Sequence, residues 1–183
     1  FHNPNQEGFE AIIKHLHSKN YKFISIEELY SRLEKNDTKG KLAYISFDDG
    51  WQGNLKLIPI IEKYNVHITI FIAVNPIMSG NFWWEFVAKK VGYTQMQNFK
   101  NLPHESQLKK IKTEVADLQR STMTIDELET ITKHPLISIQ SHTINHPILT
   151  KLPDDLLDFE LSESQKQLEK ITGKSIFAFS YPN

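Results

Sequence analysis

Two pairs of side chains in this sequence have the type and the setting to do chemistry together: the adjacent carboxylates Asp48 and Asp49, and the histidines His142 and His146. The stretch from Leu42 to Phe47 is apolar and β-branched, as in a buried strand, and two carboxylates and Gly50 follow with no polar lead-in. Side chains alternate along a strand and splay where it turns, so Asp48 and Asp49 can face one pocket from different angles. Asp-Gly is also a hairpin signal, and this segment alone leaves that reading open. A second strand-like run, residues 137–141, ends in His142-Thr143-Ile144-Asn145-His146-Pro147. Two histidines four apart can share a helix face, but in the zinc proteases with that spacing a glutamate base follows the first histidine, and here Thr143 does. Pro147 biases His146 away from the helical region, which puts the pair in the loop leaving the strand. One aspartate and two histidines, each delivered from a strand end, suit a divalent ion with positions left for water and substrate. The chain has no cysteine, so a metal must bind through oxygen and imidazole.

The elements that would position these residues alternate. Phe9, Ile12, Ile13 and Leu16 have helical spacing and predict a helix ending near Asn20. A short strand over residues 21–24 precedes Ser25-Ile26-Glu27-Glu28, a capping-box pattern that opens a second helix. Leu55, Ile58, Ile61 and Tyr64 mark another helical face, in which Pro59 implies a short first turn or a kink. Residues 68–74 read as a buried strand that Asn75-Pro76 ends. Thr124-Ile125-Asp126-Glu127 is a second capping box, residues 154–172 a long helix stopped by Gly173, and residues 176–180 the last strand. Strands alternating with helices predict a parallel α/β sheet with right-handed crossovers and a ligand site at the carboxyl ends of its strands. The pattern alone does not separate an open doubly wound sheet from a barrel. Residues 77–123 depart from the alternation. There the aromatic run Phe82-Trp83-Trp84-Glu85-Phe86-Val87 is followed by Leu108, Ile111, Val115 and Leu118 at amphipathic spacing, which predicts a helical insertion overhanging the site.

Ser46-Phe47-Asp48-Asp49-Gly50 resembles the first signature of the polysaccharide deacetylase family, carbohydrate esterase family four, and Ser141-His142-Thr143-Ile144-Asn145-His146-Pro147 resembles the second. The resemblance implies metal-dependent removal of N-acetyl groups from a sugar polymer. It implies Asp49, His142 and His146 as metal ligands, a divalent ion, Zn2+ first among the choices, and Asp48 as general base. It further implies a distorted, incomplete (β/α) barrel with parallel strands, an acetylated polysaccharide as partner, and a cell-envelope or secreted setting. Phe1-His2-Asn3-Pro4 resembles the end of the family's first strand, so the chain is expected to be one partial catalytic domain, 1–183, with that strand upstream and later signatures beyond Asn183. Tyr181-Pro182-Asn183 resembles the third signature, although Ser180 stands where many members carry an arginine that orients the base. Trp51, Trp83, Trp84, Tyr181 and Asn183 are the candidate substrate contacts; the indoles of Trp83 and Trp84 suit the apolar faces of sugar rings, although aromatic clusters more often belong to a core, where the two would anchor the insertion. A noncatalytic carbohydrate-binding domain with a residual metal site and an O-acetyl sugar esterase are the alternatives.

Length and composition agree with one domain: 183 residues, 39% hydrophobic, bury one substantial core. A formal charge of -1 with interspersed signs offers no basic stripe for nucleic acid. No run approaches the about 18 apolar residues of a membrane span. Oligomeric state is not legible.

Overall fold

The computed structural model of the chain describes residues 1–99, 102, 106 and 118–182. Its centre is a four-stranded sheet of β1 (Lys22–Ile24), β2 (Leu42–Phe47), β3 (Ile68–Ile72) and β4 (Ile137–Ser141), every pair parallel and the spatial order the chain order. A doubly wound sheet reverses direction part-way, whereas here each crossover adds its strand on the same side. The sheet therefore curls in one sense, an incomplete (β/α) barrel. All five residues of β3 are buried, as suits a strand covered on both faces. In β2 burial alternates, with Ala43, Ile45 and Phe47 in the core.

Several of the helices form where apolar periodicity and a capping side chain coincide. In α1 (Gln6–Ser18), Asn5 caps the start by accepting the Gly8 N–H at 2.7 Å, and Phe9 and Ile13 face the core. In α2 (Ile26–Glu34) the box is half made: Ser25 Oγ accepts the Glu28 N–H, but the Glu28 carboxylate turns to Lys22 and Arg32, two charged donors that outcompete one backbone N–H. A 3-10 turn over Gln52–Leu57 leads into α3 (Ile58–Tyr64), where Pro59 occupies the first turn. The strand expected over 68–74 stops at Ile72, and Asn75-Pro76 lies inside α4 (Val74–Ser79) rather than ending anything. Proline is tolerated there because first-turn N–H groups have no intrahelical acceptor. Helices α5 (Trp83–Val91) and α6 (Tyr93–Phe99) follow, with Val87 and Met96 buried in a small cluster of their own. The amphipathic helix expected at Leu108, Ile111 and Val115 lies outside the described residues, and Leu118 is not helical. A full capping box opens α7 (Ile125–Ile131): Thr124 Oγ1 accepts the Glu127 N–H at 3.1 Å, and Glu127 Oε2 accepts the Thr124 N–H at 2.7 Å. The long α8 (Asp154–Thr172) keeps its expected bounds and ends on left-handed Gly173.

Residues 176–180 do not form the full strand that their sequence predicts. They run parallel to β4 through a single bridge at Phe179, with Ser141 N–H donating to Ala178 O and Ser180 N–H to Ser141 O. The Gln140 side chain supplies what a ladder would have, its Oε1 accepting the N–H of Phe177 at 3.0 Å and of Ala178 at 2.9 Å. The inward faces of the strands meet Phe9, Ile13, Leu57, Ile61, Leu128 and Leu168 in one core. Phe47, wholly buried with its ring 5.5 Å from that of Phe9, is the last core residue before the carboxylates. Its truncation to alanine would cost about 3–5 kcal/mol and loosen the strand end that delivers them.

Candidate metal centre

The carboxyl ends of β2, β3 and β4 converge, and two loops leave them. After Phe47 the Asp48 N–H donates to Phe1 O at 2.8 Å, which continues the edge of β2 beyond the reach of β1. Asp49 then takes a left-handed backbone, φ +79°, and Gly50 follows at φ +93°. A Cβ on Gly50 would stand 2.9 Å from Ile72 Cδ1, so both conformation and space require glycine there. In the second loop Thr143 and His146 are also left-handed, at φ +70° and +55°. Each such non-glycine residue costs on the order of 1–3 kcal/mol and persists only where its surroundings over-determine it. The surroundings here are Ser141 Oγ, accepting the Thr143 N–H at 3.2 Å, and Thr143 Oγ1, accepting the His146 N–H at 3.1 Å.

The two turns bring Asp49, His142 and His146 together, with their ligand atoms all within 4.8 Å of one another and all three residues buried. Asp49 Oδ1 lies 3.4 Å from His142 Nε2 and 3.2 Å from His146 Nε2. His142 Nδ1 is 3.0 Å from the carbonyl of Ser180, which accepts the Nδ1 proton and leaves Nε2 as the ring nitrogen that faces the aspartate. Asp49 Oδ2 accepts the indole N–H of Trp51 at 2.8 Å, whereas the buried Oδ1 has no hydrogen bond among the described residues. An orphaned carboxylate oxygen beside two imidazole nitrogens is a donor set that a divalent cation satisfies, and mixed imidazole and carboxylate suits Zn2+. The residues present fit such an ion. Burial opposes ionisation of Asp49, but the imidazoles of His142 and His146 and the Trp51 N–H outweigh it and hold its carboxyl well below the ordinary range. Burial pushes the His146 imidazole down, against the pull of Asp49, and so favours the neutral form that can donate a lone pair.

A cavity of about 310 Å³ opens onto these groups. Asp48 lines it, half-buried, and no hydrogen bond reaches its carboxylate among the described residues. Arg32 and Arg120 are both engaged elsewhere, on Glu28 and Asp37 and on the carbonyls of Ile77 and Met123, so neither orients Asp48. Trp51, Trp84 and Tyr181 also line the cavity. Trp84 stacks on Phe82 with centroids 4.4 Å apart and presents itself 4.7 Å from the His146 ring. Trp83 does not line it; its indole N–H donates to the His146 carbonyl at 3.3 Å. Asn183 lies outside the described residues. His2 and, from α6, Tyr93, Met96 and Gln97 complete the wall; sequence reasoning missed the three on α6 because a short polar helix carries no signal that it faces a site.

The family model for polysaccharide deacetylases matches residues 35–183, which include both loops. The chain belongs to the polysaccharide deacetylase family. The Bacillus subtilis (strain 168) protein YxkH, whose name places it among polysaccharide deacetylases, is 24% identical over 181 residues, 98% of this chain and 50% of that protein. The chain thus spans half the length of this curated relative. The Streptococcus pyogenes deacetylase PplD, solved in complex with acetate, superposes with a TM-score of 0.70 at 21% identity, over 97% of this chain and 62% of that one. IcaB from Ammonifex degensii gives 0.69 at 17% identity, over 97% and 66%. A de-N-acetylase from Aggregatibacter actinomycetemcomitans gives 0.60 at 18% identity, over 93% and 66%. These superpositions show the fold.

Proposed function

We propose that the protein is a metal-dependent hydrolase that removes N-acetyl groups from a sugar polymer, with residues 1–183 as one catalytic domain and 77–123 as an insertion, of which Trp84 and α6 wall the cleft. The observation that carries the reading is the buried Asp49, His142 and His146 cluster, with an unbonded Asp49 oxygen at its centre and a second carboxylate, Asp48, in the same cavity. Asp49, His142 and His146 would hold the ion, and a divalent cation bound there supplies Lewis acidity toward a water and the acetamide carbonyl. Asp48 accepts the water's proton as its oxygen attacks the carbonyl carbon; it is half-buried and has no arginine partner, so it stays open to the cavity. The Tyr181 N–H, which has no acceptor among the described residues, donates to the developing oxyanion. Cleavage of the C–N bond yields acetate and an amine, which takes up the proton. His142 keeps its proton on Nδ1 throughout, because Ser180 O accepts it. Trp51, Trp84 and Tyr181 offer apolar faces to the sugar rings.

The N-acetyl assignment is supported by the deacetylase and de-N-acetylase relatives named above and by a donor set suited to polarising an amide carbonyl. Acetate release from matched N-acetylated and O-acetylated oligosaccharides, with and without a chelator, tests it. Release from the N-acetyl panel that stops with chelation and returns with Zn2+ is expected. Release confined to O-acetyl sugars would make the protein an esterase, and sugar binding without release would make it a binding domain.

A further inference from the structure

Glu160 is a buried carboxylate that the chemistry above does not use. It stands on α8, 2% exposed, and no lysine, arginine or histidine among the described residues pairs with it. A carboxyl group is tolerated in such a place only if hydrogen-bond partners surround it. All of its donors come from the histidine loop. Oε2 accepts the backbone N–H of Ile144 and of Asn145, each at 2.9 Å, and Oε1 accepts Asn145 Nδ2 at 2.5 Å. The opposite side of the same loop is held by α4: the N–H groups of Val74 and Asn75 donate to the carbonyls of Thr143 at 3.1 Å and Ile144 at 2.9 Å, and Asn75 Nδ2 donates to Asn145 Oδ1 at 2.6 Å. Residues 143–145 are thus gripped between two helices, and the next residue is His146 in its left-handed conformation.

We propose that Glu160 is a positioning residue that sets the pose of the His146 imidazole against Asp49, acting through the backbone of Ile144 and Asn145. The assignment rests on the reading of His146 as a metal ligand. Without the carboxylate, one buried and one partly buried N–H group lose their acceptor, the loop turns toward other partners, and His146 Nε2 leaves its place 3.2 Å from Asp49 Oδ1. The remainder of the cluster, Asp49 and His142, hangs on different bonds, from Trp51, Ile72 and Ser180.

The test compares Glu160→Ala, Glu160→Gln and Leu168→Ala, the last a truncation in the core face of the same helix away from the loop. Zn2+ affinity by calorimetry is one readout; the other is the histidine ring ¹H–¹⁵N spectrum of the metal-free protein, which reports the His146 pose without any ion. Glu160→Ala is expected to weaken Zn2+ binding roughly 10- to 100-fold, the range for groups that orient a ligand, and to shift the His146 ring signals while those of His142 stay. Glu160→Gln, which keeps an oxygen for both backbone N–H groups, recovers most of the affinity. Leu168→Ala lowers the melting temperature and leaves affinity and His146 signals alone. Glu160→Ala with wild-type affinity and unmoved His146 signals overturns the proposal. If that variant does not fold, Glu160→Asp, which draws the carboxylate back from both backbone N–H groups, replaces it, with a smaller weakening expected and wild-type behaviour overturning the idea. His146 signals that respond to Glu160→Ala in a protein that binds no Zn2+ would sustain the positioning role and refute the ligand reading.

Discussion

The two sides of the cavity are built on opposite plans. On the side of the strand ends, Asp49, His142 and His146 are 2%, 2% and 7% exposed, and each is held by at least one group beyond the cluster. On the other, Tyr93 is 69% and Tyr181 67% exposed, and Trp84 is half-buried against Phe82. The first side stores backbone strain at three non-glycine residues and meets it with hydrogen bonds from α4, α8 and Trp51; the second is a set of aromatic faces on two short helices and on the segment after residue 180. The difference separates the labour. On the proposed function, the strand ends would fix atoms closely, as chemistry at an ion requires, whereas an exposed aromatic wall would tolerate rings that arrive in several poses.

Breaking the rigid side should have the largest effect. His142→Ala removes one of the three proposed ligands and opens a buried void, and Zn2+ binding by calorimetry is expected to fall to background with acetate release following it; retained stoichiometric binding would mean that the ion sits elsewhere. Trp51→Phe sharpens the comparison, since Trp51 belongs to both sides. It keeps the ring against Phe82 and deletes only the N–H to Asp49 Oδ2, so metal affinity should drop about 10- to 100-fold. An effect on KM alone would move Trp51 wholly to the sugar wall. On that wall Tyr93→Ala should raise KM by about 3- to 10-fold, the value of one aromatic contact, with little change in kcat or metal content.

The smallest effect is one of pH. The folded-state pKa of His146 is depressed, so on acidification the unfolded chain takes up its proton first, and the contribution to stability is present above the ordinary histidine pKa of about 6.5 and lost as pH falls below it. Asp49, also depressed, adds a second loss below the ordinary carboxylate range. Melting temperatures of the metal-free protein should decline in that order, and a His146→Gln variant should lack the first step.

Much of the rigid side was legible in the sequence because its signals are local. Phe47-Asp48-Asp49-Gly50 announces a strand that ends in charge, Pro147 keeps His146 out of a helix, and α8 has the bounds its periodicity and Gly173 imply. What the sequence hid depends on contacts between distant residues. Gln140 replacing a ladder for residues 177–178, Ser180 lending a carbonyl to His142, and Glu160 bracing the histidine loop from 15 and 16 residues away have no pattern along the chain. The aromatic run at 82–87 was visible but its division was not: Trp84 faces the cavity, Trp83 supports the loop backbone, and Phe82 is wholly buried between Trp51 and Trp84.

The central claim is that two adjacent aspartates do different work, Asp49 on the ion and Asp48 on the proton. The most direct test measures bound Zn2+ and acetate release in Asp48→Asn and Asp49→Asn side by side. Asp48→Asn should keep its metal and lose about 10²- to 10⁴-fold in kcat, the usual worth of a general base, while Asp49→Asn loses metal and activity together. Metal lost from Asp48→Asn and kept in Asp49→Asn would contradict the account.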